Sequence, residues 1–257
     1  MAKETTVVKG IVLRSVDTKE SDKILTVLTA GMGKLPVVAK GARSRRSKVT
    51  AATQLLAYSE LVLSESHGWQ YLTEASTIEL FDGVRRDIGL LSLASYFAEL
   101  TEAVTYEEAE AEDILSLLLN ALYALGTLGR PAELVKAAFE LKLMSLIGFE
   151  PLLERCPYCG EAHPPQPVLD LQGSTLRCRS CGPGGGRWAP LTPAALAAAR
   201  HVLYGDPKRL YSFTLDSEDQ RRFSQAAEAY MSAMLERSFR TLDFYKSLHA
   251  GTGWSAP

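Results

Sequence analysis

Residues 7–42 read "VVKGIVLRSVDTKESDKILTVLTAGMGKLPVVAKGA", and the fold turns on how they are read. "VVKGIVLRSV" (7–16) and "KILTVLT" (23–29) are apolar and β-branched, "AGMGK" (30–34) is a turn signal, and "LPVVAKGA" (35–42) repeats the strand texture. Such residues suit a pleated, half-buried surface better than a helix. Further on, "LLAYSELVLSES" (55–66) and "WQYLTEASTIEL" (69–80) give two more strands, joined by a tight turn at His67–Gly68. Five strands in this space predict a small closed barrel, which has no free sheet edges.

At Phe81 the texture changes. "DGVRRDIGLLSLASYFAELTEAV" (82–104), "AEDILSLLLNALYALGTLG" (111–129) and "PAELVKAAFELKLMSLIGF" (131–149) carry apolar residues at helical spacing, with Pro131 placed as a first helical residue and Gly148 near a helix end. The acidic run "YEEAEAED" (106–113) reads as a solvated loop with carboxylates at a helix start. Helices resume with "TPAALAAARHVLYG" (192–205) and one long amphipathic segment from about Ser217 to Leu248; the tail "AGTGWSAP" reads as frayed. The expectation is a multi-domain α+β protein: a barrel over 1–80, then a helical domain over 81–257 interrupted by a cysteine segment at 154–188.

Composition adds bounds. With 46% apolar and 23% charged residues, the chain is an ordinary globular one. The net charge of −2 advertises no polyanion partner as a whole, but residues 1–80 hold 11 Lys/Arg against 8 Asp/Glu, and the remainder 17 against 22. A phosphate-bearing partner would seek the N-terminal part. No signal-peptide pattern opens the sequence and no apolar run is long enough to span a bilayer, so the expected location is the cytoplasm, without a membrane partner.

The four cysteines form two C-x-x-C pairs, Cys156 and Cys159, then Cys178 and Cys181. Each pair aims two sulfurs at one point, and two pairs complete a tetrahedron around Zn²⁺. Gly160 and Gly182 follow the pairs, where a metal knuckle needs left-handed backbone. Four thiolates leave no open coordination position, so the expected cofactor is one structural zinc per chain. Both pairs lie among prolines and glycines, unlike a thioredoxin-type pair at a helix start; spacing alone does not separate zinc from iron. His163 reads as a surface residue, while Arg177 and Arg179 offer a minor contact surface.

"KGARSRRSK" (40–48) packs Lys40, Arg43, Arg45, Arg46 and Lys48 into nine residues, with no apolar anchor between Gly41 and Val49. Such cations repel unless an anion lies against them, and the arginine fork suits phosphate. Lys34, Arg85 and Arg86 extend the patch. On an OB barrel, cationic loops and exposed aromatics bind single-stranded nucleic acid; Tyr58, Trp69, Tyr71 and Phe81 are the candidate stackers, though each suits a core equally. Lys136, Lys142, Arg237 and Arg240 are candidates for a second cationic surface. No phosphate loop, dinucleotide fingerprint, H-E-x-x-H or G-x-S-x-G occurs, and no catalytic residue is assigned.

Two longer stretches carry a resemblance. "KGIVLRSVDTKESDKILTVLTAGMGKLPVVAKGARSRRSK" (9–48) resembles the N-terminal signature of the bacterial RecO family of DNA repair proteins, and "FELKLMSLIGFEPLLERCPYCG" (139–160) that family's helix leading into its zinc knuckle. The resemblance implies an OB-fold, a helical domain with an inserted zinc site, and a nucleoid-associated, non-enzymatic recombination mediator. Such a protein binds single- and double-stranded DNA, anneals complementary strands, and works with RecR to load RecA onto strands coated by single-strand-binding protein. The rival expectation is a protein–protein adaptor whose acidic helical part does the main work.

Overall fold

The computed structural model describes residues 5–182 and 186–250; residues 251–257 of the expected frayed tail and 183–185 of the "GPGGG" loop lie outside them. Two compact units emerge, residues 1–127 with 239–257, and residues 128–238.

The first unit is built on β1 (Thr5–Thr18), β2 (Asp22–Thr29), β3 (Gly33–Ala39), β4 (Tyr58–Ser66) and β5 (Trp69–Glu79). They close into a barrel in the order β1-β2-β3-β5-β4, with β3 and β5 parallel and the other pairs antiparallel. Alternation fills the barrel: Leu25 and Val27, Leu35, Val37 and Ala39, and Leu61 and Leu63 all point inward. β1 is long enough to pair with β4 at its start and β2 at its end. At the crossing stands Gly10, where a Cβ would lie 2.5 Å from Val27. The His67–Gly68 turn takes positive φ at both residues, as a two-residue hairpin requires.

Helices α1 (Asp82–Arg85), α2 (Ile88–Val104) and α3 (Glu112–Gly126) follow the barrel. The continuous helix expected from 82 is two, because Asp87 leaves helical geometry and accepts from the Leu90 N–H at 2.9 Å, capping α2. The far end of α2 is tied to the barrel: Lys34 Nζ donates to the Glu102 carbonyl (3.0 Å), and Arg14 pairs with the Glu102 carboxylate (3.0 Å). The acidic run is not a free loop. Its backbone docks on the β2–β3 turn through Lys34 N to Tyr106 O (2.9 Å), Glu108 N to Met32 O (3.1 Å) and Ala111 N to Ala30 O (2.7 Å). Gly33, at φ 61, makes room for the Tyr106 carbonyl, which a Cβ would meet at 2.2 Å.

The second unit holds α4 (Ala132–Leu146), the strands β6 (Pro167–Asp170), β7 (Thr175–Cys178) and β8 (Trp188–Pro190), then α5 (Pro193–Tyr204) and α6 (Ser217–Leu235). The cysteine segment, for which no strand was predicted, thus contributes to a three-stranded sheet in the order β7-β6-β8. Leu153, Val168, Leu169, Leu171 and Leu176 are buried around it. The long terminal helix is also corrected. It stops at Leu235, where Glu236 turns left-handed (φ 49, ψ 33), and α7 (Arg240–Ala250) belongs to the first unit. There Phe239 meets Tyr96 edge-on at 5.8 Å, and Thr241 N donates to Glu99 at 3.1 Å.

Candidate metal centre and nucleic-acid interface

The four cysteine sulfurs lie within 4.8 Å of one another, with Cys159 and Cys178 at 3.5 Å. A metal about 2.3 Å from four tetrahedral sulfurs holds them about 3.8 Å apart, so the donor set fits a closed thiolate site. Each pair sits in a turn closed by the glycine that follows it, though in different registers. Gly160 (φ 76) donates its N–H to the Cys156 carbonyl at 2.9 Å, and Gly182 (φ 77) donates to that of Arg179 at 3.1 Å. Burial opposes ionisation of Cys156, but the backbone N–H groups at Cys178, Cys159 and Tyr158 and the Cys159 thiol outweigh it, bringing Cys156 down to about 6. Cys178 is pushed well up by burial and by the Cys159 and Cys156 sulfurs; Cys181 rises too, first through the Cys159 thiol. One thiolate forms readily and its neighbours resist, as expected where a cation must compensate four crowded thiolates.

Arginines fix the two turns in place. Arg200 of α5 donates from Nε to the Leu153 carbonyl (2.8 Å) and from Nη2 to those of Glu154 (2.8 Å) and Ala162 (2.5 Å), so it grips both flanks of the first pair. Arg177, next to Cys178, is only 15% exposed; it pairs with Asp170 at 2.8 Å and lies 4.4 Å over the ring of Tyr158, inside the first pair. Asp170 also accepts from the N–H groups of Gln172 and Gly173, closing the β6–β7 turn. Arg177 therefore links the two turns and is no contact residue. Arg200 was missed in the sequence, where a lone arginine in an alanine-rich helix carries no signal.

The basic connection between β3 and β4 is anchored, contrary to expectation. Ala42 is wholly buried in the barrel core, and Val49 packs against it. Farther along, Ala52, Leu56 and Ala57 are buried, and Leu56 and Ala57 hydrogen-bond with Val12 of β1. On this fixed backbone Arg45, Arg46 and Lys48 are exposed, and among the described residues no ion pair engages them. Arg43 is exposed and pairs with Asp17 at 3.3 Å, in a geometry worth little in water. Lys40 sits 4.7 Å over the Tyr71 ring. Arg86 is exposed.

Lys34 and Arg85 differ from these. Lys34 is engaged at the end of α2, as described above. The Arg85 guanidinium donates to the Leu80 carbonyl, Gln54 Oε1 (3.2 Å) and the Leu55 carbonyl (2.5 Å), and burial lowers its pKa despite Asp82. Phe81 is buried at 8% exposure and is no stacker, whereas Trp69 is 48% exposed. Lys136 is no surface cation: at 2% exposure it faces Glu140 (3.0 Å) and Glu228 (2.8 Å). Lys142 donates to the Leu203 carbonyl at 3.2 Å, and Arg237 and Arg240 are exposed.

A five-stranded OB barrel with exposed cations on its β3–β4 connection, followed by helices and a four-thiol clasp, defines a class of barrel protein with an appended four-thiol module. Residues 1–81 match the family described as Recombination protein O N terminal, and residues 85–243 match Recombination protein O C terminal. The chain belongs to the RecO family of recombination and DNA repair proteins. It is 33% identical over 250 residues to the DNA repair protein RecO of Symbiobacterium thermophilum, covering 95% of this chain and 97% of that one. Over 239 residues it is 29% identical to that of Acetivibrio thermocellus, covering 93% and 95%. No helix of the described residues is long and apolar enough to cross a membrane.

Proposed function

We propose that the chain is a non-enzymatic DNA-binding mediator that binds single- and double-stranded DNA and anneals complementary strands, with one structural zinc in its four-cysteine site. The observation that carries the reading is the anchored 40–57 connection, which holds Arg45, Arg46 and Lys48 in solvent, without ion-pair partners among the described residues. Annealing needs two polyanions brought together, and fixed cations on a barrel screen one of them at small entropic cost. Lys40, Arg43 and Arg86 widen the surface; Arg85 braces the connection through Gln54 and Leu55, while Lys34 is engaged at the end of α2. Family membership is the support for partnership with RecR, for work on strands coated by single-strand-binding protein and, through these, for loading of RecA in the cytoplasm at the nucleoid. The zinc reading rests on the all-thiolate donor set, since soft thiolates in a tetrahedron select zinc or iron–sulfur chemistry, and four such ligands suit a structural zinc.

The test is binding of a labelled oligonucleotide across a salt series, together with metal analysis. Affinity should fall with salt at a log–log slope of about 0.7 per phosphate contact on single strands. Elemental analysis should find about one zinc per chain. Salt-independent binding, or none, would count against the DNA surface, and iron in place of zinc against the metal assignment.

A further inference from the structure

Within the second unit a cleft of about 370 Å³ opens between the small sheet and the start of α6. Trp188, Pro167 and Pro190 form its apolar walls, and Arg179, Arg222 and Glu218 its polar ones. Pockets of about 300–1,000 Å³ take single small-molecule-sized groups. Trp188 is on β8, a strand whose pattern is exposed, buried, exposed, so its ring and Pro190 share the outer face while Ala189 enters the core. The indole is 40% exposed.

We propose that this cleft is a second site for single-stranded nucleic acid, in which one base stacks on Trp188 and the adjoining phosphate meets Arg179 and Arg222. The inference rests on the DNA-binding reading above and extends it to a surface outside the barrel. Three observations favour a nucleotide over a peptide. Arg179 is exposed, and among the described residues no ion pair engages it. Arg222 pairs with Glu218 at 2.9 Å, and with Arg179 the charged residues lining the cleft are two arginines to one glutamate. The proline walls lack N–H donors, which a peptide held by main-chain hydrogen bonds would need, whereas a base held by its π-face needs none. Arginine beside an indole is the pairing that sequence-tolerant strand binding uses.

The experiment uses the full metal-loaded chain with Trp69→Phe and Trp254→Phe, which leaves Trp188 as the sole indole. Titration with an oligothymidylate should quench its fluorescence saturably, while inorganic polyphosphate, which has charge but no bases, should not. In the otherwise unaltered chain, Trp188→Ala should weaken oligothymidylate binding about tenfold, and Trp188→Phe should restore most of it. Unchanged zinc content and circular dichroism mark both variants as folded; if the alanine variant fails that check, the quenching titration decides alone. Binding without quenching, or full affinity in a folded Trp188→Ala variant, overturns the site and leaves the barrel reading standing. Absence of any binding by the unaltered chain overturns both. Quenching by polyphosphate would assign the cleft to phosphate alone and sink the stacking claim.

Discussion

In the 40–57 connection of the barrel, Arg45 and Arg46 stand in solvent without ion-pair partners among the described residues, whereas around the cysteine clasp Arg177 and Arg200 are enclosed by carbonyls, a carboxylate and a ring. The apolar anchors explain the difference. Ala42, Ala52, Leu56 and Ala57 hold the barrel connection, so its guanidinium groups are not needed for the fold. The clasp has cores on its strands, but its two turns present mostly backbone carbonyls and sulfurs. Those groups need donors or a cation; the arginines supply the donors, and the proposed metal would supply the cation. A cation's role thus follows from whether the backbone beneath it is held by something else.

The largest effect that would sharpen the contrast is loss of a metal ligand. Cys156→Ser should abolish stoichiometric zinc and open the segment from about 150 to 190, since metal binding energy here is folding energy. Hydrogen exchange should rise throughout that segment and stay unchanged in the barrel strands. Retained protection without metal would mean that the leucines and arginines suffice. Next comes the buried charge in α4. Burial pulls the Lys136 ammonium down, but Glu140 and Glu228 outweigh it and hold its pKa above the ordinary 10.5. A raised pKa makes this contribution complete at neutral pH and lost only as pH climbs past the usual lysine range. Lys136→Met takes the ammonium from between two carboxylates and should cost about 3 kcal/mol, lowering the melting temperature by roughly 10 °C. A loss below about 1 kcal/mol would show that the cluster repacks.

Arg200→Met tests whether the clasp depends on its grip. It removes donors to Leu153, Glu154 and Ala162 while leaving all four sulfurs. Zinc affinity, read by chelator competition, should fall about 10- to 100-fold, the size expected when groups behind the ligands are lost. An unchanged affinity would mean that the four sulfurs are held by the sheet alone.

Much of this architecture was legible because its signals are local. Two-residue alternation in 7–80 marked the strands, and C-x-x-C spacing marked the thiol set. The β6–β7 hairpin was also written in "VLDLQGSTL" (168–176), where alternation flanks a glycine-containing turn, but no strand was predicted there because the surrounding prolines and cysteines dominate the segment. Other features have no local signal. "ERSF" (236–239) holds neither glycine nor proline, so nothing in it shows that α6 stops and the chain returns to the first unit. Lys136 looks like an ordinary helix-surface lysine until α6 brings Glu228 to it. Ala42 carries too little hydrophobic weight to mark an anchor among five cations, and what sets Arg85 apart from Arg86 includes acceptors at Gln54 and Leu55, some 30 residues earlier.

That last pair of neighbours gives the finest test of free against engaged cations. Arg45→Ala with Arg46→Ala should leave the melting temperature within about 1 °C, because surface changes away from contacts lie within about 0.5 kcal/mol. It should weaken binding to all oligonucleotides alike, and the salt slope should fall by about 1.4, two contacts' worth on single strands. Arg85→Ala should do the reverse. It strips donors from the Leu80 and Leu55 carbonyls and should cost about 1–3 kcal/mol of stability, while the salt slope stays as it was. Arg86→Ala, one residue away and exposed, should resemble the loop variants in lowering the slope by about 0.7 without loss of stability. If Arg85 and Arg86 prove interchangeable in both measurements, hydrogen-bond engagement in the folded chain does not decide which arginines reach phosphate. The DNA surface would then include groups that rearrange on binding.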